Sequence, residues 1–230
     1  MTENSPLHAH PQLICRSIAL FSNFFLIILA YYQVKSASRS LLIEFGGSGW
    51  FPHAWLYSAI AFTLLIGFYH GLVERYSRAR IVLGSLLMFA GLLVVFRTVL
   101  DQYSTLSAVA FYIFVDIVSV VLVEQFWSLT VSITDPADGK RSFWFVGTGG
   151  LAGGVAGGYL ASLLVTGTEF VTADLLYVCA ALLLLTFVVN FFMWRAGIYE
   201  EVVRADGVRH PQTDWRALLD ISGHGCSSTC

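Results

Sequence analysis

Six long apolar segments follow one another along the chain, separated by short polar stretches. Each is close to the roughly 20 mainly apolar residues that a membrane-spanning helix needs. The apolar residues run on without the alternation of a membrane β-strand. The pattern predicts an all-α, polytopic membrane protein with six transmembrane helices. The predicted spans are Ile18–Ile43, Trp55–Val73, Ile81–Leu100, Leu106–Ile133, Phe143–Val165 and Ala173–Trp194.

Polar segments flank this bundle at both ends. Residues 1–17 form a polar N-terminal segment, and the apolar run that follows is too long for a cleaved signal peptide. Residues 18–194 form the six-helix bundle. Residues 195–230 return to the composition of a soluble protein, and about 35 residues are too few to build a core of their own. They are predicted to form a cytoplasmic linker or tail.

The composition supports a membrane protein and narrows its partners. Hydrophobic residues make up 57% of the chain and charged residues 12%, whereas a soluble domain carries about 25% charged residues. Membrane lipid is therefore an expected partner, and the net charge of −2 gives no basis for expecting nucleic acid.

We expect no disulfide framework, metal site or cofactor. No motif groups a nucleophile, a base and an orienting residue, so an enzyme is not expected.

Lys and Arg are concentrated on one side of the predicted bundle. Ten of the 13 cationic residues lie there, whereas the opposite loops carry acidic residues. Under the positive-inside rule, both termini are predicted to be cytoplasmic, in the cell (inner) membrane. The ten residues are Arg16, Arg75, Arg78, Arg80, Lys140, Arg141, Arg195, Arg204, Arg209 and Arg216.

The first predicted helix carries two cations, Lys35 and Arg39, whose spacing of four residues places them on one face. Lys35 lies about 25 Å from the inner edge of the span, at 1.5 Å per residue. A charge at such depth must be compensated or hydrated, which favours a functional position. The alternative is that both side chains extend toward the outer interface.

The fourth predicted helix carries two acids, Asp116 and Glu124, on one broad face. Asp116 is expected near the depth of Lys35, and Glu124 about 12 Å closer to the cytoplasm. Together the two cations and two acids indicate a polar interior lining, of the kind that binds a small anionic or zwitterionic solute. A structural ion pair, or a carboxyl group kept neutral by its proton, is the alternative.

Glycines form two overlapping ladders with a spacing of four residues in the fifth predicted helix. Because they lack side chains, a neighbouring backbone can approach closely. Tight helix packing is favoured over direct contact with a solute. A nucleotide-binding loop is rejected, because no strand precedes the glycines. The residues are Gly149, Gly153 and Gly157 in one ladder and Gly150, Gly154 and Gly158 in the other.

The loop after the second predicted helix contains Glu74, Arg75, Arg78 and Arg80. An ordinary positive-inside loop has this composition. The loop also resembles the one between helices two and three of major facilitator transporters, where an acid and arginines hold neighbouring helices in one conformation. That resemblance implies a conformational role for the four residues.

Three stretches resemble the ATP/ADP translocase (nucleotide transporter) family, which is related to the major facilitator transporters. They lie within residues 18 to 194, and the likeness extends to the N-terminal half of the family's length. The most specific is the third, which leads into the glycine ladders. The stretches are Tyr31–Leu42, Trp50–Ala59, and Glu124–Leu129 followed by Asp135-Pro136 and Lys140–Phe143.

The resemblance implies a major-facilitator-like half bundle that moves a nucleotide or other anionic metabolite by alternating access. Its partner would be a second six-helix bundle, from a missing C-terminal half or another subunit. One departure is that Lys35 and Arg39 are four residues apart, where the family commonly has three. The alternative is a truncated or non-transporting membrane protein that acts within a complex. The charges within the spans favour the transporter.

Overall fold

A computed structural model describes residues 9–101, 104–134, 136–167 and 171–198. Side chains are described for these residues except 9–14, 66, 68–75 and 136–141. Every regular element in the described part is helical, which confirms the all-α prediction there. Two short 3-10 helices, Ser48–Trp50 and Thr172–Asp174, accompany six α-helices. The α-helices are α1 (Ala9–Gly46), α2 (Phe51–Arg75), α3 (Arg78–Leu100), α4 (Thr105–Ile133), α5 (Pro136–Gly167) and α6 (Leu175–Arg195).

Five helical stretches among the described residues are long and apolar enough to cross a membrane. This agrees with an α-helical membrane protein. The second predicted span, Trp55–Val73, lies in α2, where side chains from 68 onward are outside the description. Its crossing of the membrane stays a prediction. The five stretches are Cys15–Gly46, Arg78–Leu100, Thr105–Ile133, Ser142–Gly167 and Thr172–Arg195.

α1 and α5 are the helices that begin furthest ahead of their predicted spans. α1 begins at Ala9, so part of the predicted N-terminal segment 1–17 is helical. α5 begins at Pro136, ahead of the predicted span Phe143–Val165, because proline suits the first position of a helix, which needs no N–H donor. The predicted tail lies outside the described residues from 199 onward.

Glycines in the left-handed region end α1 and α6. Gly47 has φ 80° and Gly197 has φ 78°, a conformation that other residues rarely adopt. The Gly47 N–H donates to the Ile43 carbonyl at 2.9 Å, and the Ile198 N–H donates to the Met193 carbonyl at 3.2 Å. These bonds satisfy carbonyl groups that each helix end would otherwise leave unpaired.

α1 lies at the centre of the bundle and packs against α4, α5 and α6. Phe24 of α1 stacks on Phe126 of α4, with ring centroids 4.5 Å apart. Asn23 of α1 and Asn190 of α6 are both buried and exchange two side-chain hydrogen bonds of 2.9 and 3.0 Å. α3 packs against α4 and α6, and α2 packs against α4. The central helix α1 and its neighbour α4 carry the four predicted solute-binding residues, Lys35, Arg39, Asp116 and Glu124.

The first glycine ladder lies against the backbone of α1. A Cβ atom added at any of its three glycines would lie 2.5 to 2.8 Å from an α1 carbonyl oxygen. The contacted carbonyls belong to residues that are also spaced by four, so ladder and carbonyls run in register. Such an approach is available only to glycine. The pairs are Gly149 with Phe21, Gly153 with Phe25, and Gly157 with Leu29.

The second ladder contacts side chains or open space instead. A Cβ at Gly150 would clash with the ring of Phe24, and one at Gly154 would lie 3.1 Å from the ring of Tyr32. A Cβ at Gly158 would meet nothing within 4 Å. The expected close backbone approach is thus found at the first ladder and not at the second.

Candidate solute-binding site

Arg39 of α1 and Asp116 of α4 form an ion pair between two packed helices. Arg39 Nη2 lies 3.8 Å from Asp116 Oδ1, and Arg39 Nη1 donates to the Lys35 carbonyl at 3.3 Å. The side chains are 34% and 22% exposed. At 3.8 Å the charges attract each other without a hydrogen bond of normal length. No hydrogen bond of normal length therefore holds the two side chains together, and a competing anion can reach the exposed part of the guanidinium.

α2 contributes to the same place through two hydrogen bonds. Ser58 Oγ donates to Asp116 Oδ2 at 3.1 Å, and Trp55 Nε1 donates to Tyr112 Oη at 3.0 Å. The guanidinium of Arg39 lies 5.3 Å from the centre of the Tyr112 ring, within range of a cation–π interaction. These five residues, called the Arg39 cluster below, join α1, α2 and α4.

Lys35 lies one helical turn from Arg39 but turns away from Asp116. Its ammonium group donates to the hydroxyl of Tyr31 and lies 4.7 Å from the centre of that ring. Side chains on a helix lean toward its N-terminus, so Lys35 covers the turn before its own Cα. Lys35 and Asp116, which are expected near one depth, do not pair in this structure, because Arg39 leans back and pairs with Asp116 instead. Lys35 has no acidic partner among the described residues.

Glu124 is exposed and lies apart from the Arg39 cluster. It lines a small cavity of about 100 Å³ together with Arg78. No hydrogen bond or ion pair involves its side chain among the described residues. Its neighbour Gln125 is buried and accepts a 2.7 Å hydrogen bond from Ser85 Oγ. Of the four predicted solute-binding residues, the structure brings together Arg39 and Asp116, places Lys35 beside them, and separates Glu124.

The predicted conformational loop is described only in part. Arg78 and Arg80 begin α3, whereas the side chains of Glu74 and Arg75 lie outside the description. Arg78 is partly buried and Arg80 is exposed. The interaction expected between the acid and the arginines stays a prediction.

Trp55, Ser58 and Tyr112 were not predicted as site residues. Helical spacing offers a signal, because Trp55 and Ser58 are three residues apart, and Tyr112 and Asp116 four. Each pair therefore presents two polar groups on one face of an apolar helix. The spacing does not determine the rotation of α2 about its own axis, which turns Trp55 and Ser58 toward α4.

The ion pairs of Arg97 were likewise not predicted from the sequence. Its Nε and Nη2 atoms donate to Asp174 Oδ1 at 3.0 and 2.9 Å, and it pairs with Asp101 one turn later. The Asp174 bonds join the end of α3 to the start of α6, at the end of the bundle opposite Arg78 and Arg195. This arrangement fixes the helix ends and leaves the guanidinium engaged by two carboxylates. Arg97 is therefore a poorer anion ligand than Arg39.

Lys35 and Arg39, with Asp116 as the single acid, give this region a net charge of +1 in an otherwise apolar bundle. An ammonium group supplies three hydrogen-bond donors and a guanidinium group five. Both are suited to carboxylate or phosphate oxygens. The arrangement can bind one anionic group, with Asp116 holding Arg39 in place when that group is absent.

Gln33 is a buried polar residue on the same helix that has no hydrogen-bond partner. Its side chain is 0% exposed, and neither amide atom is bonded among the described residues. An unsatisfied buried polar group costs about 1–3 kcal/mol. Replacing Gln33 with Met, which has a similar shape, is therefore expected to raise the free energy of unfolding by about 1–2 kcal/mol. Thermal unfolding of the purified chain in detergent measures this.

The matched control for Gln33→Met is Gln125→Met, which removes an amide whose oxygen is bonded to Ser85. That change should destabilise the chain. A loss of stability in Gln33→Met as large as in the control would mean that the Gln33 amide has a partner, such as a buried water molecule.

No protein-family model, curated protein or solved structure matches this chain.

Proposed function

We propose that the chain is one half of a membrane transporter that moves a small anionic solute by alternating access. The observation that carries this proposal is the Arg39–Asp116 pair, partly exposed and 3.8 Å long, beside Lys35. Charges within membrane helices are costly, and they are retained where they bind a solute or an ion. Arg39 paired with Asp116, and Lys35 one helical turn away without an acidic partner among the described residues, leave an excess of positive charge that favours an anion over a cation.

A second six-helix bundle is part of the proposal. Arg39 and Asp116 keep about a third and a fifth of their side-chain surface exposed, and lipid would be an unfavourable neighbour for either charge. A second bundle over this face would enclose the site between two halves, as in transporters built from repeated bundles. Exposed apolar residues of α2, such as Leu56 and Leu64, would form the rim. The proposal also requires that all six helices span the membrane and that both termini are cytoplasmic.

A nucleotide is the first solute to test. The resemblance to the nucleotide transporter family suggests it, and the surroundings of Lys35 support it. Tyr32 is 41% exposed, and its ring centre lies 5.9 Å from the Lys35 ammonium group. An aromatic face beside a cation suits a base joined to a phosphate group.

Binding of anions to the purified chain tests this proposal without requiring the second bundle. We expect ATP, malate or inorganic phosphate at millimolar concentration to raise the melting temperature in detergent. A ligand present at ten times its Kd stabilises the folded state by about 1.4 kcal/mol. Lys35→Gln should abolish the shift, because it removes the ammonium group that has no acidic partner.

The control is Arg195→Gln, which removes the same charge from an exposed position at the end of α6. This variant should keep the shift. If none of the three anions stabilises the chain, or if Lys35→Gln and Arg195→Gln respond alike, the cationic region is not a solute site. A non-transporting membrane protein held together by these charges would then be the better interpretation.

A further inference from the structure

A long apolar groove runs along the surface between α3 and α4. Its volume is about 420 Å³, and apolar side chains form nearly all of its wall. Met88 and Leu92 are 53% and 36% exposed, so the groove is open on one side. The other residues that line it are Leu65, Tyr76, Arg80, Ile81, Gly84, Ser85, Phe89, Phe114, Ile117, Val121 and Gln125.

The length of the groove matches one leaflet of a bilayer. Along α3 it extends from Arg80 to Leu92, which is 12 residues or about 18 Å at 1.5 Å per residue. Half of a 30 Å hydrocarbon core is about 15 Å. Two of the polar residues that line the groove, Ser85 and Gln125, are hydrogen-bonded to each other. The remaining wall between the helices is apolar and therefore suited to an acyl chain.

Two residues with polar groups, Tyr76 and Arg80, line the end of the groove nearest the start of α3. Arg80 and Tyr76 are both exposed, and neither the guanidinium nor the hydroxyl has a hydrogen-bond partner among the described residues. Arg80 lies in the first turn of α3 and Tyr76 just before that helix, where a membrane around Arg78–Leu100 would place its headgroups. A guanidinium group binds phosphate oxygens through two parallel hydrogen bonds.

We propose that this groove binds one acyl chain of an anionic phospholipid, with the lipid phosphate on Arg80 and Tyr76. The apolar wall holds the chain, and the cation selects a lipid with net negative charge over a zwitterionic one. The site is separate from the Arg39 cluster and does not depend on the proposed transport function.

Native mass spectrometry of the full chain, purified in detergent with equal amounts of phosphatidylglycerol and phosphatidylcholine, tests the proposal. We expect one phosphatidylglycerol to remain bound. Arg80→Gln should lower its affinity about fivefold, the effect of one cation on an anionic lipid, and remove the preference over phosphatidylcholine. Gly84→Phe should abolish retention, because Gly84 lines the groove and a side chain there would fill it.

Gly158→Phe is the matched control for the filled groove. A Cβ at Gly84 or at Gly158 meets nothing within 4 Å, so neither change causes a clash at Cβ, but Gly158 lies on α5, away from the groove. This control should retain the lipid. Melting temperatures without lipid identify any variant that fails to fold, and Gly84→Leu then replaces Gly84→Phe. Equal retention of both lipids, a lipid that survives in a folded Gly84 variant, or a lipid-free dimer each overturns the proposal.

Discussion

Replacing Gly153 with Ala is expected to destabilise the chain by up to about 2 kcal/mol, because overpacking costs up to about 3 kcal/mol and helix propensity returns about 1 kcal/mol. The added Cβ would lie 2.5 Å from the Phe25 carbonyl oxygen and 3.2 Å from the Phe25 Cα. Both atoms are backbone atoms of α1, so no side-chain rotation can relieve the clash. The helices must instead move apart, which disrupts the packing between α1 and α5. Alanine favours a helix over glycine by about 1 kcal/mol, which offsets only part of this cost.

The matched control is Gly158→Ala, on the same helix. Nothing lies within 4 Å of a Cβ at Gly158, so only the helix propensity acts, and this variant should be neutral or more stable by up to about 1 kcal/mol. Gly154→Ala should fall between them, because the ring of Tyr32 at 3.1 Å can move. Thermal unfolding in detergent and the amount of protein in the membrane measure the series. Equal stability of the Gly153 and Gly158 variants would mean that α1 and α5 do not pack as described.

The helices could be predicted from the sequence, because runs of about twenty apolar residues have few alternatives to a spanning helix. The first five predicted spans each lie within one observed α-helix, and the sixth, Ala173–Trp194, begins in the 3-10 helix Thr172–Asp174 and continues in α6. The helix starts were less predictable, since hydropathy detects where apolar residues begin and not where the backbone becomes helical. Thus α1 and α5 extend into polar segments at Ala9 and Pro136.

The partners of the intramembrane charges could not be predicted in the same way. Depth estimated from residue number placed Asp116 level with Lys35, but side-chain lean and helix rotation bring Arg39 to Asp116 instead. Likewise, two glycine ladders of equal spacing are indistinguishable in sequence, and only the rotation of α5 decides that the ladder through Gly153 meets α1 backbone. Such rotations depend on tertiary packing, which a local pattern does not contain.

Substitutions of Arg39 and Asp116 are expected to distinguish a solute site from an ion pair that only holds helices together. Arg39→Gln should abolish stabilisation by anions, since it removes the guanidinium. Asp116→Asn should have the opposite effect and increase anion affinity, because the acid no longer competes for Arg39. A neighbouring charge near a surface is worth about 1 kcal/mol, so we expect an increase of roughly fivefold. If the pair only locks helices, both changes should lower stability and neither should alter anion affinity selectively.

A double-mutant cycle completes this test. Each single change should lower the free energy of unfolding, and the double variant should recover part of the loss because no charge is left without its partner. With both side chains partly exposed, we expect a coupling energy of about 1 kcal/mol. Asp174→Asn serves as the control, because it breaks the comparable link from Arg97 to α6. It should reduce stability and leave anion affinity unchanged. If Asp174→Asn and Asp116→Asn shift anion affinity equally, the effect is one of net charge, and the Arg39 cluster has no special role in binding.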